Sequence, residues 1–324
     1  MKAIFFTFFV LILTVSSYAE NFNKKLIVIL RYRIEKNYFS NTVKSFIKAL
    51  NDNGFNKNNL KIIDYLTSTA DLKSVPEVNK IVNQYKNKAD LFVTCGWISI
   101  YARKILKETD IPQIFLPVLK SVALKLISSV KYPPHTNING VYLQYPPEKI
   151  IRIAKLILPE IKRYAYIYDS RIPADTTFKQ AYSKVKTDIK IYFFDLKEGV
   201  DKVLQNIKID KIEAIGGIVG MYKHLKDFDK LNIPIITSFT LDIEEKDLKR
   251  VLENHNFIAG LFNPFSYCGY QAGLMAVKVL NGKYIGDIKP IPAKQIAFIN
   301  LKAADKLNIK IPFKAIDAVD IIVK

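Results

Sequence analysis

The sequence predicts an α/β protein with two doubly wound parallel-sheet lobes, joined by a multi-strand hinge and holding a ligand cleft between them. Three observations carry that expectation. Short apolar runs of strand length alternate with helix-spaced apolar positions from Lys25 onward. The alternation restarts after an irregular stretch that contains Pro133-Pro134. The chain of 324 residues also exceeds one ordinary domain of about 100–200 residues.

The first run, Leu26 to Leu30, reads as a strand buried on both faces. Ser40 can cap a helix in which Val43, Phe46, Ile47 and Leu50 recur at helical spacing, with Gly54 as its stop. Leu60 to Tyr65 gives a second strand. Pro76 opens a helix carrying Val78, Ile81, Val82 and Tyr85. Leu91 to Thr94 is a third strand ending in Cys95-Gly96, a helix follows from Tyr101 to Lys107, and Gln113 to Leu116 is a fourth strand. Residues 117–139 read as a crossing region with one helix, Val122 to Val130.

A second series then begins. It contains the Ile150–Ile157 helix, the Tyr164–Tyr168 strand, the Phe178–Val185 helix and the Ile189–Phe194 strand. A helix around Val203, a strand from Ile212 to Ile218, a helix from Tyr222 to Leu231 and the strand Ile233–Thr237 continue it. Beyond Leu241 come another helix, the strand Phe257–Phe262, the long helix Gly269–Leu280, the strand Gln295–Ile299, the short helix Leu301–Leu307 and an apolar run near Ile316–Val323. The expected division is an N-terminal lobe of residues 20–118 and 241–288 and a C-terminal lobe of residues 119–240 and 289–324.

Met1-Lys2-Ala3, the apolar run Ile4–Val15 and the small residues Ser17 and Ala19 have the form of a secretory signal peptide cleaved after Ala19. A periplasmic location is the corresponding expectation. The formal charge of +19 could serve nucleic acid, anionic lipid or an anionic solute. The lysines are spread between apolar positions without a dense block, so they read as a solvated surface, and nucleic acid is not an expected partner. Cys95 and Cys268 permit one disulfide in an oxidising compartment, without metal-ligand spacing. His135, His224 and His255 fall into no nucleophile–base–acid arrangement, and no phosphate-binding or dinucleotide glycine motif occurs. The expectation is therefore a protein without enzymatic activity, metal or cofactor.

Several motifs resemble the tryptophan/tyrosine-type ABC transporter substrate-binding proteins. The longest is Gly269-Tyr-Gln-Ala-Gly-Leu-Met-Ala-Val-Lys-Val-Leu-Asn-Gly282, followed by Ile288-Lys-Pro and by the segment from Phe298 through Asn300-Leu-Lys-Ala-Ala to Ile311-Pro312. Asn137-Ile-Asn-Gly-Val141 is close to the family's Asn-x-Thr-Gly-Val, and Leu91–Gly96 leads through a helix to Ile111-Pro112 in the same way. The resemblance covers nearly the whole chain after the leader and implies a periplasmic-binding-protein type I fold. It departs from the family at turns on the cleft side: Trp97-Ile98-Ser99, Leu116-Pro117 and Pro134-His135-Thr136 replace the usual residues.

Candidate ligand-binding residues sit at strand ends, where open α/β sheets bind ligands. Gly96, Trp97 and Ile98 join a strand to a helix whose first amides favour an anionic group. Trp97 either stacks on a solute or packs between helix and sheet, and Thr94 lies just before it. Tyr32 and Arg33 follow the first strand, where an arginine grips a carboxylate or makes a structural ion pair. Asp169 and Ser170 end the first strand of the second lobe, and Asp169 either accepts from an ammonium or turns the loop before Pro173. Ser238, Phe239 and Asn263 close later strands. The Gly216-Gly217 pair allows a close backbone approach or marks a bend.

These features together predict a monomeric periplasmic receptor whose lobes close on a small solute and present it to an ABC permease in the inner membrane. By the resemblance, the solute is an amino acid, aromatic in character. A sensory module reporting the same kind of solute to a membrane signalling partner is the alternative.

Overall fold

Apolar runs rich in isoleucine, valine, leucine and aromatic residues form the strands, and most strands are buried on both faces, as a parallel sheet between helices requires. A computed structural model describes residues 24–32, 39–68, 72–119, 121–122, 124–144, 146–242 and 244–324. The expected leader, residues 1–19, and Arg33 lie outside the described residues. The chain forms two α/β units, residues 1–142 with 268–292 and residues 143–267 with 293–324.

In chain order the strands are β1 (Lys25–Tyr32), β2 (Leu60–Thr67), β3 (Leu91–Cys95), β4 (Gln113–Leu119) and β5 (Ile138–Leu143). β6 (Arg163–Tyr168), β7 (Lys190–Asp195), β8 (Ala214–Gly217), β9 (Ile235–Leu241) and β10 (Phe257–Pro264) follow. The last are β11 (Ile291–Pro292), β12 (Ile296–Asn300) and β13 (Ile321–Val323). The principal helices are α1 (Ser40–Asp52), α2 (Val75–Tyr85), α3 (Ile98–Leu106), α4 (Pro147–Ile157), α5 (Pro173–Tyr182) and α6 (Val200–Ile209). After them come α7 (Val219–Tyr222), α8 (Leu225–Asp229), α9 (Leu248–Leu252), α10 (Phe265–Leu280), α11 (Leu301–Lys306) and α12 (Phe313–Ile316).

The first unit's sheet has the order β11-β5-β4-β3-β1-β2. β1 pairs in parallel with β2 on one side and β3 on the other, Ile27 lying opposite both Ile62 and Leu91. α10 packs against α1 at two glycines of the long C-terminal motif. A methyl carbon on Gly269 would overlap the Thr42 carbonyl oxygen, and one on Gly273 would lie 2.6 Å from the Phe46 carbonyl oxygen.

The second unit's sheet has the order β13-β12-β10-β9-β8-β6-β7. β12 alone among the described pairings runs antiparallel to a neighbour, with Ala259 opposite Ile299. Its core gathers Ile167, Ile215, Phe228, Ile235, Phe257 and Phe298, all fully or nearly buried.

The unit boundaries differ from those expected. Residues 119–142 stay with the first unit because Ile138–Leu143 is a strand of its sheet, buried at all six positions. Residues 241–267 belong to the second unit because β10 pairs with β9 and β12 there. The helix expected from Val122 to Val130 does not form. Lys125 adopts a left-handed φ of 55°, and Leu126 and Ile127 instead pack as a loop on Phe115, Val118, Ile138 and Tyr142. The helix expected over Tyr222–Leu231 is broken into α7 and α8.

Candidate functional site

In a doubly wound sheet, ligands bind outside the strand carboxyl ends at the point where strand order reverses. The strand orders place that point between β1 and β3 in the first unit and between β6 and β8 in the second. Each unit therefore has one edge on which to look for chemistry.

In the first unit, β1 ends at Tyr32 and β3 runs into Gly96-Trp97. The Tyr32 ring lies 5.5 Å from Trp97 and 5.2 Å from Phe39, and Trp97 meets Tyr101 edge-on at 5.3 Å. Gly96 has φ +60°, and a methyl carbon there would lie 2.6 Å from the Tyr32 hydroxyl. Glycine thus lets the phenol lie across the turn. Trp97 remains half-buried, so its ring is both packed and partly open.

Thr94 and Ile98 point inward and are fully buried. The Thr94 hydroxyl accepts from Gln113 Nε2 at 3.0 Å, and Ser99 Oγ donates to the Thr94 carbonyl at 3.0 Å. This polar knot fixes the strand-to-helix turn from beneath. The Ser99 amide donates to Gly96 O and the Ile100 amide to Trp97 O. The amides of Trp97 and Ile98 have no backbone acceptor among the described residues, which suits an anionic group.

In the second unit, Asp169 follows β6 and is buried, with Ser170 exposed beside it. Arg171 Nε donates to Asp169 Oδ1 at 2.8 Å and its terminal nitrogen to Oδ2 at 2.7 Å. That bidentate pair holds the Asp169 carboxyl below the usual carboxylate range. The Ser170 amide donates to Asp195 Oδ1 at 3.0 Å.

Below this pair sits Asp175, fully buried at the start of α5. It accepts from the amides of Asp169 at 3.0 Å, Val219 at 3.2 Å and Gly220 at 2.9 Å. Burial nonetheless pushes its carboxyl up to about 6, outweighing the amide donors.

Ser238 is buried, and its carbonyl accepts from the Tyr222 hydroxyl at 3.1 Å. Phe239 occupies the next position of β9. Asn263 is buried in β10, where Nδ2 donates to Lys294 O at 2.8 Å and Oδ1 has no hydrogen-bond partner among the described residues. Gly216 serves a close approach: a methyl carbon there would overlap the Tyr164 hydroxyl, which donates to Ile236 O at 2.8 Å.

Six of the predicted residues thus fall into two local groups, Tyr32 with Gly96, Trp97 and Ile98 in one unit and Asp169 with Ser170 in the other; Thr94, Ser238 and Asn263 are instead buried within their own units. Sequence reasoning missed Arg171 and Asp175. Their signals were an arginine two residues after a strand-end acid and an acid in the first turn after Pro173. A cavity of about 270 Å³ beside Lys25, Asp90, Asp110 and Tyr284 lies at the amino ends of the first unit's strands, away from its switch point.

Comparison with known proteins bears on the family and the fold. The family model for ABC transporter substrate-binding proteins matches residues 28–318. A tyrosine-binding protein of Clostridioides difficile is 24% identical over 263 residues, covering 76% of this chain and 70% of that protein. The crystal structure of an ABC domain in complex with L-Trp from Streptococcus pneumoniae superposes with a TM-score of 0.70 at 18% identity, covering 93% of this chain and 100% of the other. The ligand-free, open structure of a substrate-binding protein with adhesive properties from Clostridium difficile gives 0.71 at 21% identity, covering 93% and 99%. Both solved structures share the two-unit α/β fold, of the periplasmic-binding-protein type I kind. With the match running through nearly every strand of both sheets, the chain belongs to the ABC transporter substrate-binding protein family.

Proposed function

We propose that this protein is an exported receptor that binds an amino acid, aromatic in character, and hands it to an ABC permease. The observation that carries this reading is the aromatic ledge at the first unit's switch point, where Tyr32, Trp97 and Tyr101 surround the start of α3. An aromatic solute stacks on such a surface, and its carboxylate suits the amides of Trp97 and Ile98. The tyrosine-binding relative and the neighbour solved with L-Trp support the solute class. The residues expected to form a leader, Met1–Ala19, support export.

In the second unit Asp169 is the acceptor for the solute's ammonium, which exchanges with Arg171, and the receptor acts as a monomer. No cofactor enters this reading, and it is one of binding without turnover. Titration calorimetry of the purified protein with each of the twenty amino acids tests it. Saturable heat from L-tyrosine or L-tryptophan is the expected result; none from any amino acid at millimolar concentration overturns it. Crosslinking in whole cells distinguishes a permease partner from a signalling one.

A further inference from the structure

The buried Asp175 carboxylate belongs to no contact that the proposed solute makes, yet it touches two strand-end segments at once. One is the segment after β6 that carries Asp169 and Arg171, reached through the Asp169 amide. The other is the start of α7, just after β8, reached through the amides of Val219 and Gly220. Oδ2 accepts from Asp169 and Gly220, while Oδ1 accepts from Val219. Gly220 is shaped for this contact, because a methyl carbon there would lie 2.6 Å from Asp175 Oδ2 and 2.9 Å from Asp169 Cβ. These segments flank the second unit's switch point.

We propose that Asp175 is a positioning residue for the solute edge of the second unit, its carboxylate fastening the loop after β6 to the start of α7, so that solute affinity follows its charge. The proposal rests on the reading of Asp169 as a solute contact. Three amides converge on one carboxylate, and charge-assisted bonds of this kind are about twice as strong as neutral ones. A protonated Asp175 cannot accept as strongly at both oxygens. The Val219 bond, at 3.2 Å the longest of the three, is the first to weaken.

The charged groups around Asp175 leave this switch to Asp175 itself. Asp169 faces it from the β6 segment, where its charge adds to the rise of the Asp175 carboxyl, and its pairing with Arg171 holds it ionised. Lys223, just beyond α7, acts on Asp169. Tyr166 of β6 feels the Asp175 charge, and its buried hydroxyl has no hydrogen-bond partner among the described residues. Glu148 of α4 acts on Tyr182, at the other end of α5.

The sign gives the proposal a signature. Burial raises the Asp175 carboxyl to about 6, so the stability this group contributes is present below the unfolded carboxylate value, about 4, and is lost as pH rises through about 6. Affinity moves the other way, rising as Asp175 ionises.

The test has two arms, run at pH 5 and pH 7.5. In the first, hydrogen exchange of the wild-type protein without solute, corrected for intrinsic rates, follows the Val219 and Gly220 amides. Protection about tenfold lower at pH 5, relative to core amides of β6, is expected. Equal protection at both pH values overturns the clamp.

In the second arm, L-tyrosine is titrated into wild type, Asp175→Asn and Asp175→Glu. Wild type should bind roughly tenfold more weakly at pH 5. D175N should bind weakly at both, and D175E should restore part of the pH dependence. A D175N protein that keeps wild-type affinity and pH dependence overturns the proposal. If L-tyrosine binds at neither pH, the solute reading falls while the exchange arm still decides the clamp; that arm needs no variant.

Discussion

Replacing Gly216 by alanine tests how the second unit's sheet is built at its switch point. The added methyl would overlap the Tyr164 hydroxyl and lie 2.7 Å from the Ile236 carbonyl oxygen, on the neighbouring strand β9. Both neighbours are buried, and the carbonyl belongs to backbone that cannot swing aside. Overpacking of this kind costs about 1–3 kcal/mol. Displacing Tyr164 also breaks its 2.8 Å hydrogen bond to Ile236 O, leaving a buried hydroxyl unpaired at about 1–3 kcal/mol. Alanine returns about 0.5–1 kcal/mol by restricting the unfolded chain.

The net expectation is a loss of roughly 2–4 kcal/mol, read as a lower urea midpoint at unchanged slope. The same substitution in a Tyr164→Phe background isolates the cause. There the hydroxyl is gone, and the alanine penalty should shrink by at least about 1 kcal/mol, a coupling expected of groups in contact. A Gly216→Ala protein within about 0.5 kcal/mol of wild type, or an undiminished penalty in the Y164F background, would refute the reasoning.

Trp97→Ala should weaken binding of an aromatic amino acid by about tenfold, the worth of one aromatic stacking contact, while Trp97→Phe retains most of the affinity; calorimetric titration separates them. Asn137→Ala should destabilise the first unit by about 2–3 kcal/mol. Its amide donates to the carbonyls of Leu106, Thr109 and Ile111, and its oxygen accepts from Arg103; urea denaturation checks this. Arg171→Ala should narrow the stability difference between pH 7 and pH 3. The Arg171 contact depresses the Asp169 carboxyl, so the pair's contribution is present above the unfolded carboxylate value and disappears as pH falls through the lowered one. The effect is small because Arg171 is exposed and screened.

Much of the architecture was legible because parallel strands buried on both faces leave continuous apolar runs. Leu26–Leu30 and Leu91–Thr94 are such runs, and both are strands with buried interiors. Ile138–Leu143 was not read as a strand, since Asn139 and Gly140 interrupt it. Asn139 is tolerated inside because its amide reaches the carbonyls of Ile285 and Ile288, about 150 residues away. That distant partner leaves no trace in local pattern, and missing the strand moved the expected unit boundary. Apolar spacing over Val122–Val130 imitated a helix, although two of those side chains bury themselves from a loop.

The site was legible to a lesser depth. Strand-end position singled out Tyr32, Trp97 and Asp169, because sheet topology determines where chain ends meet. It could not reveal that Asp169 is already held by Arg171, or that Thr94 turns inward to Gln113. Those are side-chain choices made by neighbours remote in sequence, and Asp175 is the clearest case. Its three amide partners come from two segments, one of them more than forty residues along the chain.

The interleaving of the two units bears on how the chain folds. The first unit takes back residues 268–292 and the second residues 293–324. On a ribosome, α1 waits with its Thr42–Ala49 face uncovered until α10 emerges, and β10 waits for β12. Neither unit can reach its final form until its own late segment has been made. Closures over such sequence distances are slow. The consequence is a nascent chain that stays open until its last segments have been made.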